Sequence, residues 1–248
     1  MATLRATTNG EETMKTAASG MAAALMWMIA GVPAWAGEPA FVPPSQINAL
    51  QVLAGPPGAD SGTTRAELIE LHRLQSQRTP SQVMRAVGDD RNETIFLFRD
   101  VMGPDFNAAT LPITAALGAS IHGDEEINTD PAKHGFGRVR PYNLDRSLHP
   151  VCRTKTANDS YPSGHATTGY LLALTLIDMV PEKRDAILAR ADDYAQNRLI
   201  CGVHYSSDLA AGRLIAYAMH AVMSNNPRYQ QALAAARQEL GRASAARQ

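Results

Sequence analysis

Apolar residues recur at helical spacing along most of the chain after residue 64, and this periodicity limits the fold more than any other feature. In residues 65–77, for example, leucine and isoleucine occupy positions 68, 69, 71 and 74. The strict alternation that indicates strands is scarce. We therefore predict an all-α fold, a compact helical bundle, with helices over residues 65–77, from 81 onward, and over 93–102, 108–122, 163–180, 182–200, 206–224 and 227–242.

The periodicity fades between residues 123 and 161, where prolines and glycines at positions 131, 135, 137, 141 and 150 interrupt it. Proline lacks an N–H and disrupts helices, so this segment predicts a long loop region with short helices. Long ordered loops in compact domains commonly carry function. The segment is therefore a candidate functional region.

Length and charge narrow the class of protein. A chain of 248 residues, of which 45% are hydrophobic, can bury one sizeable core, so we expect one domain. Its 23 basic residues nearly balance its 24 acidic residues, and no long run of one sign occurs. A nucleic-acid-binding protein usually carries a basic patch, so we expect no nucleic-acid partner and only a local anion site.

The N-terminus has the features of a signal peptide. Residues 16–37 carry no charge, Lys15 precedes them, and the small-residue triplet Ala34-Trp35-Ala36 stands near their end. The most apolar part, residues 21–32, is shorter than the roughly 20 residues that span a membrane. We predict a signal peptide over residues 1–36; an uncleaved membrane anchor is the alternative, and Met14 offers a conventional start.

The remaining chain divides into an arm and a helical domain. Residues 37–63 are rich in proline, glycine and serine, which predicts an ordered arm or loop rather than a core element. Residues 64–248 are expected to form the single helical domain. No later segment reaches membrane-spanning length without charge, so we expect a periplasmic protein without stable membrane insertion after cleavage. A homo-oligomer is compatible with the sequence.

Two cysteines remain, Cys152 and Cys201. An even pair in an exported protein is allowed to form a disulfide, and the sequence leaves open whether these two do. Zinc sites usually show C-x-x-C spacing, which this pair lacks, so we expect no zinc site.

Lys133 and Arg140, followed by Pro141, form the first of three clusters suited to an oxyanion. Lysine supplies a point charge, and arginine supplies a planar fork that can bridge two phosphate oxygens. Taken alone, a lysine and an arginine at this spacing are ordinary solvated loop charges.

The second cluster, Pro162-Ser163-Gly164-His165, stands immediately before an apolar helix. The first N–H groups of a helix are free and the macrodipole adds positive charge, so a helix start is a natural anion site. Gly164 allows close approach of a phosphate, and Ser163 can cap the helix or donate its hydroxyl. A simple N-cap explains Ser163 but not Gly164 and His165 together.

The third cluster consists of Asn197-Arg198, then His204, then Asp208. His204 and Asp208 are four apart and meet if one helix includes both. An aspartate that accepts from one imidazole nitrogen fixes the tautomer and leaves the other nitrogen free to attack. The alternative is a histidine that packs near a helix start beside a solvated aspartate.

Together the clusters read K-x6-R-P, P-S-G-H and R-x5-H-x3-D, which resembles the signature of the type 2 phosphatidic acid phosphatase (PAP2) superfamily. This superfamily includes bacterial class A non-specific acid phosphatases and vanadium haloperoxidases. The family usually has serine before the third-motif arginine, where this chain has Asn197. The resemblance covers Lys133 to Asp208 and implies the helical fold of the acid phosphatase and vanadium haloperoxidase type.

The resemblance also implies a role for each residue. His204 attacks phosphorus, Asp208 orients it, and His165 protonates the leaving group. The phosphate oxygens are bound by the backbone N–H of Gly164 and by four side chains, those of Lys133, Arg140, Ser163 and Arg198. Three cations and a helix start can neutralise a transferring phosphoryl group, so we expect no metal and no cofactor.

Three functions remain open at this point. The resemblance favours an exported acid phosphatase that acts on phosphomonoesters of broad range, is inhibited by oxyanions such as vanadate, and could also transfer phosphate to alcohols. A vanadate-dependent haloperoxidase is the second reading and is usually a longer chain. The third is a non-catalytic periplasmic phosphate-binding protein, which would not need a proton donor such as His165.

Overall fold

The structure, a computed structural model, describes residues 38–245 of the chain. Those residues form ten α-helices and two short 3₁₀ helices (Ile95–Phe98 and Pro181–Lys183) and contain no strand, which confirms the all-α prediction. The α-helices are α1 (Ala49–Val52), α2 (Gly62–Gln77), α3 (Pro80–Asp90), α4 (Arg99–Met102), α5 (Pro112–Phe136), α6 (Pro141–Leu144), α7 (Gly164–Met179), α8 (Arg184–Ile200), α9 (Ser206–Met223) and α10 (Pro227–Ala245). The signal-peptide and start-site predictions concern residues outside this range.

Helix α7 is surrounded by other helices. It packs against α5, α8 and α9, and its buried residues include Leu171, Leu172 and Leu176. A helix that is apolar on all sides is stable when neighbouring helices cover it. This packing brings the first turn of α7 beside the end of α5 and the start of α9.

Gly212 allows α9 to approach that first turn closely. A Cβ at this position would lie 2.7 Å from the carbonyl oxygen of Ser163 and 3.0 Å from the Cβ of Ala166. The backbone N–H of Ser163 in turn donates to the carbonyl of Asp208 at 3.1 Å. The absence of a side chain at Gly212 therefore allows the start of α7, which carries the second motif, to lie this close to α9, which carries Asp208 of the third motif.

Helix α5 is longer than the sequence predicts. The expected end at residue 122 is wrong, because α5 continues through Pro131 to Phe136. The predicted loop region with short helices is correct from residue 137 onward, where α6 is the only helix before α7. Proline removes one helical hydrogen bond, but this part of α5 buries Asn128, Thr129 and Ala132, and tertiary packing outweighs the local penalty. The helix ends at Gly137, which has a φ of 57° and whose N–H donates to Lys133.

The arm contributes to the core, contrary to the prediction that it would not. Phe41, Val42 and Leu53 are buried. The carboxylate of Asp124 in α5 accepts hydrogen bonds from the N–H groups of Phe41 at 2.8 Å and Val42 at 2.9 Å. A composition rich in proline and glycine therefore marks irregular backbone here, not an exposed segment.

Cys152 and Cys201 form a disulfide, which decides the question that the sequence left open. It joins the segment before α7 to the end of α8, and the N–H of Val151 donates to the carbonyl of Cys201 at 3.1 Å beside it. Both segments lead directly into the predicted site residues.

No helix among residues 38–245 is long and apolar enough to cross a membrane.

Candidate active site

The structure brings the predicted site residues together at one end of the bundle. All of them except His204 lie at the end or the beginning of a helix. Lys133 and Arg198 lie in the last turns of α5 and α8, and Arg140 is the N-cap of α6. The start of α7 carries Ser163, Gly164 and His165, the first turn of α9 carries Asp208, and His204 lies in the connection between α8 and α9. Two N-termini, which favour anions, therefore border one site.

His204 lies between the carboxylate of Asp208 and the guanidinium of Arg140. Its Nδ1 lies 3.1 Å from Oδ2 of Asp208, and its Nε2 lies 3.1 Å from Nη1 of Arg140. Arginine can only donate, so Nε2 must accept and Nδ1 must carry the proton. The lone pair of Nε2 therefore points toward the arginines of the site.

Burial lowers the pKa of His204 well below its ordinary value, and the charges of Arg140, Arg198 and Lys133 act in the same direction. The side chain is only 2% exposed. Burial and these cations therefore favour the neutral imidazole, the form that a nucleophilic nitrogen requires.

Asp208 reaches His204 without sharing a helix with it. The sequence left open whether one helix includes both residues; α9 begins at Ser206, as predicted, and His204 lies before it. Oδ2 of Asp208 also accepts from the N–H of Tyr205 at 2.9 Å and from the hydroxyl of Ser160 at 2.6 Å. Asp208 thus folds back over the N-terminus of its own helix to reach the imidazole.

Sequence reasoning missed Arg138, which binds the other side of Asp208. Its Nη1 lies 2.6 Å from Oδ1 of Asp208, and its Nη2 lies 2.9 Å from Oε2 of Glu67 in α2. The guanidinium also stacks 4.0 Å above the ring of Tyr205. Burial raises the pKa of Asp208 to about 6, while the charge of Arg138 and the hydrogen bond from Ser160 oppose the rise.

Glu67 joins α2 to this network. Its Oε1 accepts from the hydroxyl of Ser206 at 2.9 Å and from the N–H of Ser207 at 2.7 Å, which caps the start of α9. Arg138 therefore lies between two buried carboxylates, those of Glu67 and Asp208. No sequence pattern links residues 67, 138 and 208; only the packing of α2 against the start of α9 does.

The two predicted phosphate-binding arginines are each paired with a carboxylate. Nε of Arg140 lies 2.7 Å from Oδ1 of Asp159, and Nη1 of Arg198 lies 2.7 Å from Oδ1 of Asp90. Nε of Arg198 is buried and has no hydrogen-bond partner among the described residues. Since a buried donor without a partner is unfavourable, this N–H is available to donate to a bound anion.

The start of α7 forms the cradle that the sequence predicts. Ser163 is the N-cap, and its Oγ accepts weakly from the N–H of Ala166 at 3.4 Å, which leaves the hydroxyl proton available for an anion. A Cβ on Gly164 would lie 3.2 Å from Nζ of Lys133. The absence of that Cβ therefore keeps the space between the helix start and the lysine open.

His165 faces the site from the second position of α7. Its Nδ1 lies 3.6 Å from Oε2 of Glu93, its Nε2 lies 3.3 Å from the carbonyl of Asp90, and its ring stacks on Tyr194 with centroids 5.9 Å apart. The side chain is 15% exposed, in contrast to the buried His204. Burial and the nearby charge of Arg198 lower the pKa of His165 well below its ordinary value, and a bound anion would oppose that effect.

Asn197, where the family usually has serine, points away from this cluster. Its amide donates to Oδ2 of Asp89 at 2.7 Å, and Asp89 also pairs with Arg190 at 2.6 Å. The substitution therefore affects a structural contact behind the site.

Comparison with known proteins agrees with this geometry. The sequence profile described as PAP2 superfamily matches residues 109–232, half of the chain. The chain belongs to the PAP2 superfamily. It is similar to a non-specific acid phosphatase of Salmonella typhimurium (strain LT2), with 30% identity over 212 residues that cover 82% of this chain and 84% of the relative.

Two further comparisons bear on the family and the fold. A non-specific acid phosphatase of Providencia stuartii is 36% identical over 124 residues, 47% of this chain and 48% of that one. A bacterial vanadium-dependent iodoperoxidase of known structure aligns with a TM-score of 0.56 and 18% identity, over 72% of this chain and 53% of that one, which shows a shared fold. The predicted resemblance to bacterial acid phosphatases of this superfamily is confirmed.

Proposed function

We propose that this chain is an acid phosphatase that hydrolyses phosphomonoesters of broad range through a phosphohistidine on His204. Membership of the PAP2 superfamily and similarity to non-specific acid phosphatases support the reaction class. The observation that carries the mechanism is the placement of His204, whose Nδ1 is held by Asp208 and whose Nε2 faces Arg140.

The first step transfers the phosphoryl group to the enzyme. Nε2 of His204 forms a bond to phosphorus as the bond between phosphorus and the ester oxygen breaks. The other oxygens are held, and their charge is neutralised, by Lys133, Arg140, Arg198 and the start of α7. Positioning and charge stabilisation of this kind are the main contributions of a protein to the catalysis of phosphoryl transfer. Asp208 stabilises the imidazolium-like product by accepting from Nδ1.

His165 serves as the proton donor in this proposal. When phosphate binds, its negative charge raises the pKa of His165 and opposes the effects of burial and of Arg198. Protonated His165 gives its proton to the departing alkoxide, and the neutral ring then takes a proton from the water that attacks phosphorus. The bond between phosphorus and Nε2 breaks, and free phosphate leaves.

The phosphohistidine can also react with alcohols. Any hydroxyl that reaches phosphorus in place of water would yield a new phosphomonoester, so phosphotransfer to alcohols is part of the proposal. An excess of released alcohol over inorganic phosphate, measured with added glycerol, would reveal this reaction. A ratio of one at all glycerol concentrations would exclude it.

Export to the periplasm is proposed on two grounds. Residues 1–36 have the sequence features of a signal peptide, and disulfides such as Cys152–Cys201 are typical of exported proteins. Mass spectrometry of the protein from a periplasmic fraction is expected to give an N-terminus at Gly37. A membrane-bound protein that retains residues 1–36 would contradict this.

The phosphatase assay is release of p-nitrophenol and inorganic phosphate from p-nitrophenyl phosphate in excess chelator. We expect activity with chelator, loss of turnover in His204→Ala, and retention in His220→Ala. His220 is a matched control because it also lies in a histidine–carboxylate pair, 2.9 Å from Asp178, on α9. Equal loss in both variants, or loss of wild-type activity with chelator, would contradict the proposal.

A further inference from the structure

A buried carboxylate borders the proposed phosphate cradle. Glu125 of α5 is 2% exposed, and its Oε1 lies 3.7 Å from Nζ of Lys133. A Cβ on Gly164 would be 3.2 Å from the same Oε1, so the carboxylate borders the space that this glycine leaves open at the start of α7. The proposed reaction does not use Glu125, and its negative charge would repel a fully ionised phosphate.

The hydrogen bonds of Glu125 show that it accepts at both oxygens. Nζ of Lys133 lies 2.7 Å from Oγ1 of Thr129, and a lysine ammonium can only donate. The single proton of the Thr129 hydroxyl therefore goes to Oε1 of Glu125, 2.7 Å away. Thr168 in α7 donates to Oε2 at 3.2 Å. Each carboxylate oxygen keeps a lone pair for a further donor.

The ion pair of Glu125 with Lys133, at 3.7 Å, is longer than a direct hydrogen bond. Lys133 is shared with Asp130, also at 3.7 Å, and His122 contacts Thr168 at 3.3 Å rather than the carboxylate. Across the site Glu93 adds a second acid; burial raises its pKa, and the charge of Glu125 adds to the rise. Glu125 thus remains an acceptor in a site otherwise built for anions.

We propose that Glu125 accepts a hydrogen bond from a protonated phosphoryl oxygen, so that the site selects oxyanions that carry a proton. A phosphomonoester monoanion or dihydrogen phosphate can donate that bond, whereas sulfate has no proton to donate. A second phosphate pKa of about 6 makes the monoanion dominant in mild acid, so this selection would confine tight binding to acidic pH. The inference rests on the oxyanion site of the proposed function and specifies the protonation state of the substrate that this site binds.

The test compares phosphate with sulfate in the full-length protein. Calorimetric titration with each anion measures binding without turnover, and inhibition of p-nitrophenyl phosphate hydrolysis gives a second value. In the wild type we expect tighter binding of phosphate than of sulfate at pH 5, by at least about tenfold, equivalent to about 1.4 kcal/mol. For the phosphomonoester, KM should rise above about pH 6, because the dianion that then dominates carries no proton. Inorganic phosphate keeps a proton as its dianion and is therefore compared with sulfate only at pH 5.

Glu125→Gln should abolish this selectivity, because its amide can donate to an unprotonated oxygen. Glu126→Gln is the matched control, since Glu126 is 65% exposed and lies next in the chain. A wild type that binds both anions equally, or a folded Glu125→Gln protein that keeps the wild-type ratio, overturns the inference alone. A wild type that binds neither anion and hydrolyses no ester overturns the proposed function as well.

Discussion

Replacement of Arg138 by methionine tests whether the network behind His204 controls its chemistry. The guanidinium lies 2.6 Å from Asp208 and 2.9 Å from Glu67, and both carboxylates are buried. Methionine fills part of the same space but removes the only cation that contacts both acids among the described residues. Asp208 then binds a proton more readily, and a protonated Asp208 cannot hold the Nδ1–H tautomer of His204.

The size of the effect follows from the lost contact. A hydrogen bond to a charged group contributes about 1.5–3 kcal/mol, and about 1.36 kcal/mol corresponds to one pKa unit. The pKa of Asp208, which burial raises to about 6, should rise further by about one to two units. Activity requires the anion, so the acidic limb of kcat/KM against pH should move upward by the same amount. Loss of one partner of a buried pair also costs about 3–5 kcal/mol of stability.

The assay is the pH profile of kcat/KM, with the free energy of unfolding in urea measured on each variant. Arg138→Lys keeps the charge and should show a smaller shift. Glu239→Gln removes a buried carboxylate that caps α5 by accepting from Thr114 at 2.8 Å, so it should lower stability without moving the profile. A folded Arg138→Met protein whose acidic limb coincides with that of the wild type would refute the reasoning.

Three further predictions concern the proton donor and the frame of the site. His165→Ala should lower kcat/KM for alkyl phosphates by about 10²–10⁴-fold but reduce p-nitrophenyl phosphate hydrolysis much less, because that leaving group needs little protonation; equal losses would contradict the assignment. Gly212→Ala places a methyl group 2.7 Å from the carbonyl of Ser163 and should lower the free energy of unfolding by about 1–3 kcal/mol, and an unchanged urea midpoint would contradict this. The double variant Cys152→Ser/Cys201→Ser opens a cross-link with a sequence separation of 49 and should lose about 4 kcal/mol by the chain-entropy argument, whereas equal stability with and without the bond would contradict it.

Local chemistry made the three motifs and most helices predictable from sequence. The helix start at Ser163 and Gly164 is marked by residue types with known capping behaviour, and α7 follows it as a continuous apolar segment. The extension of α5 through Pro131 was not predictable, because burial of its face overrides a helix-breaking residue. The arm was misjudged for a similar reason, since Asp124 supplies partners for its backbone from a distant helix.

Residues that act through distant pairs were missed. Glu67 and Arg138 are separated by 71 positions, and Asp90 and Arg198 by 108, so no local spacing marks either pair. Glu125 shares one face of α5 with Thr129 and Lys133, and that spacing was visible. This helical spacing did not indicate a shared face, because residues 123–161 were predicted to form a loop region.

The most direct test of the account is the site of phosphorylation during turnover. A ³²P-labelled phosphomonoester is mixed with excess enzyme, the reaction is quenched in alkali, and the labelled peptide is identified by mass spectrometry. The account predicts label on His204, lost on mild acid treatment and absent from His204→Ala. Label on another residue, or turnover of His204→Ala at the wild-type rate, would contradict it.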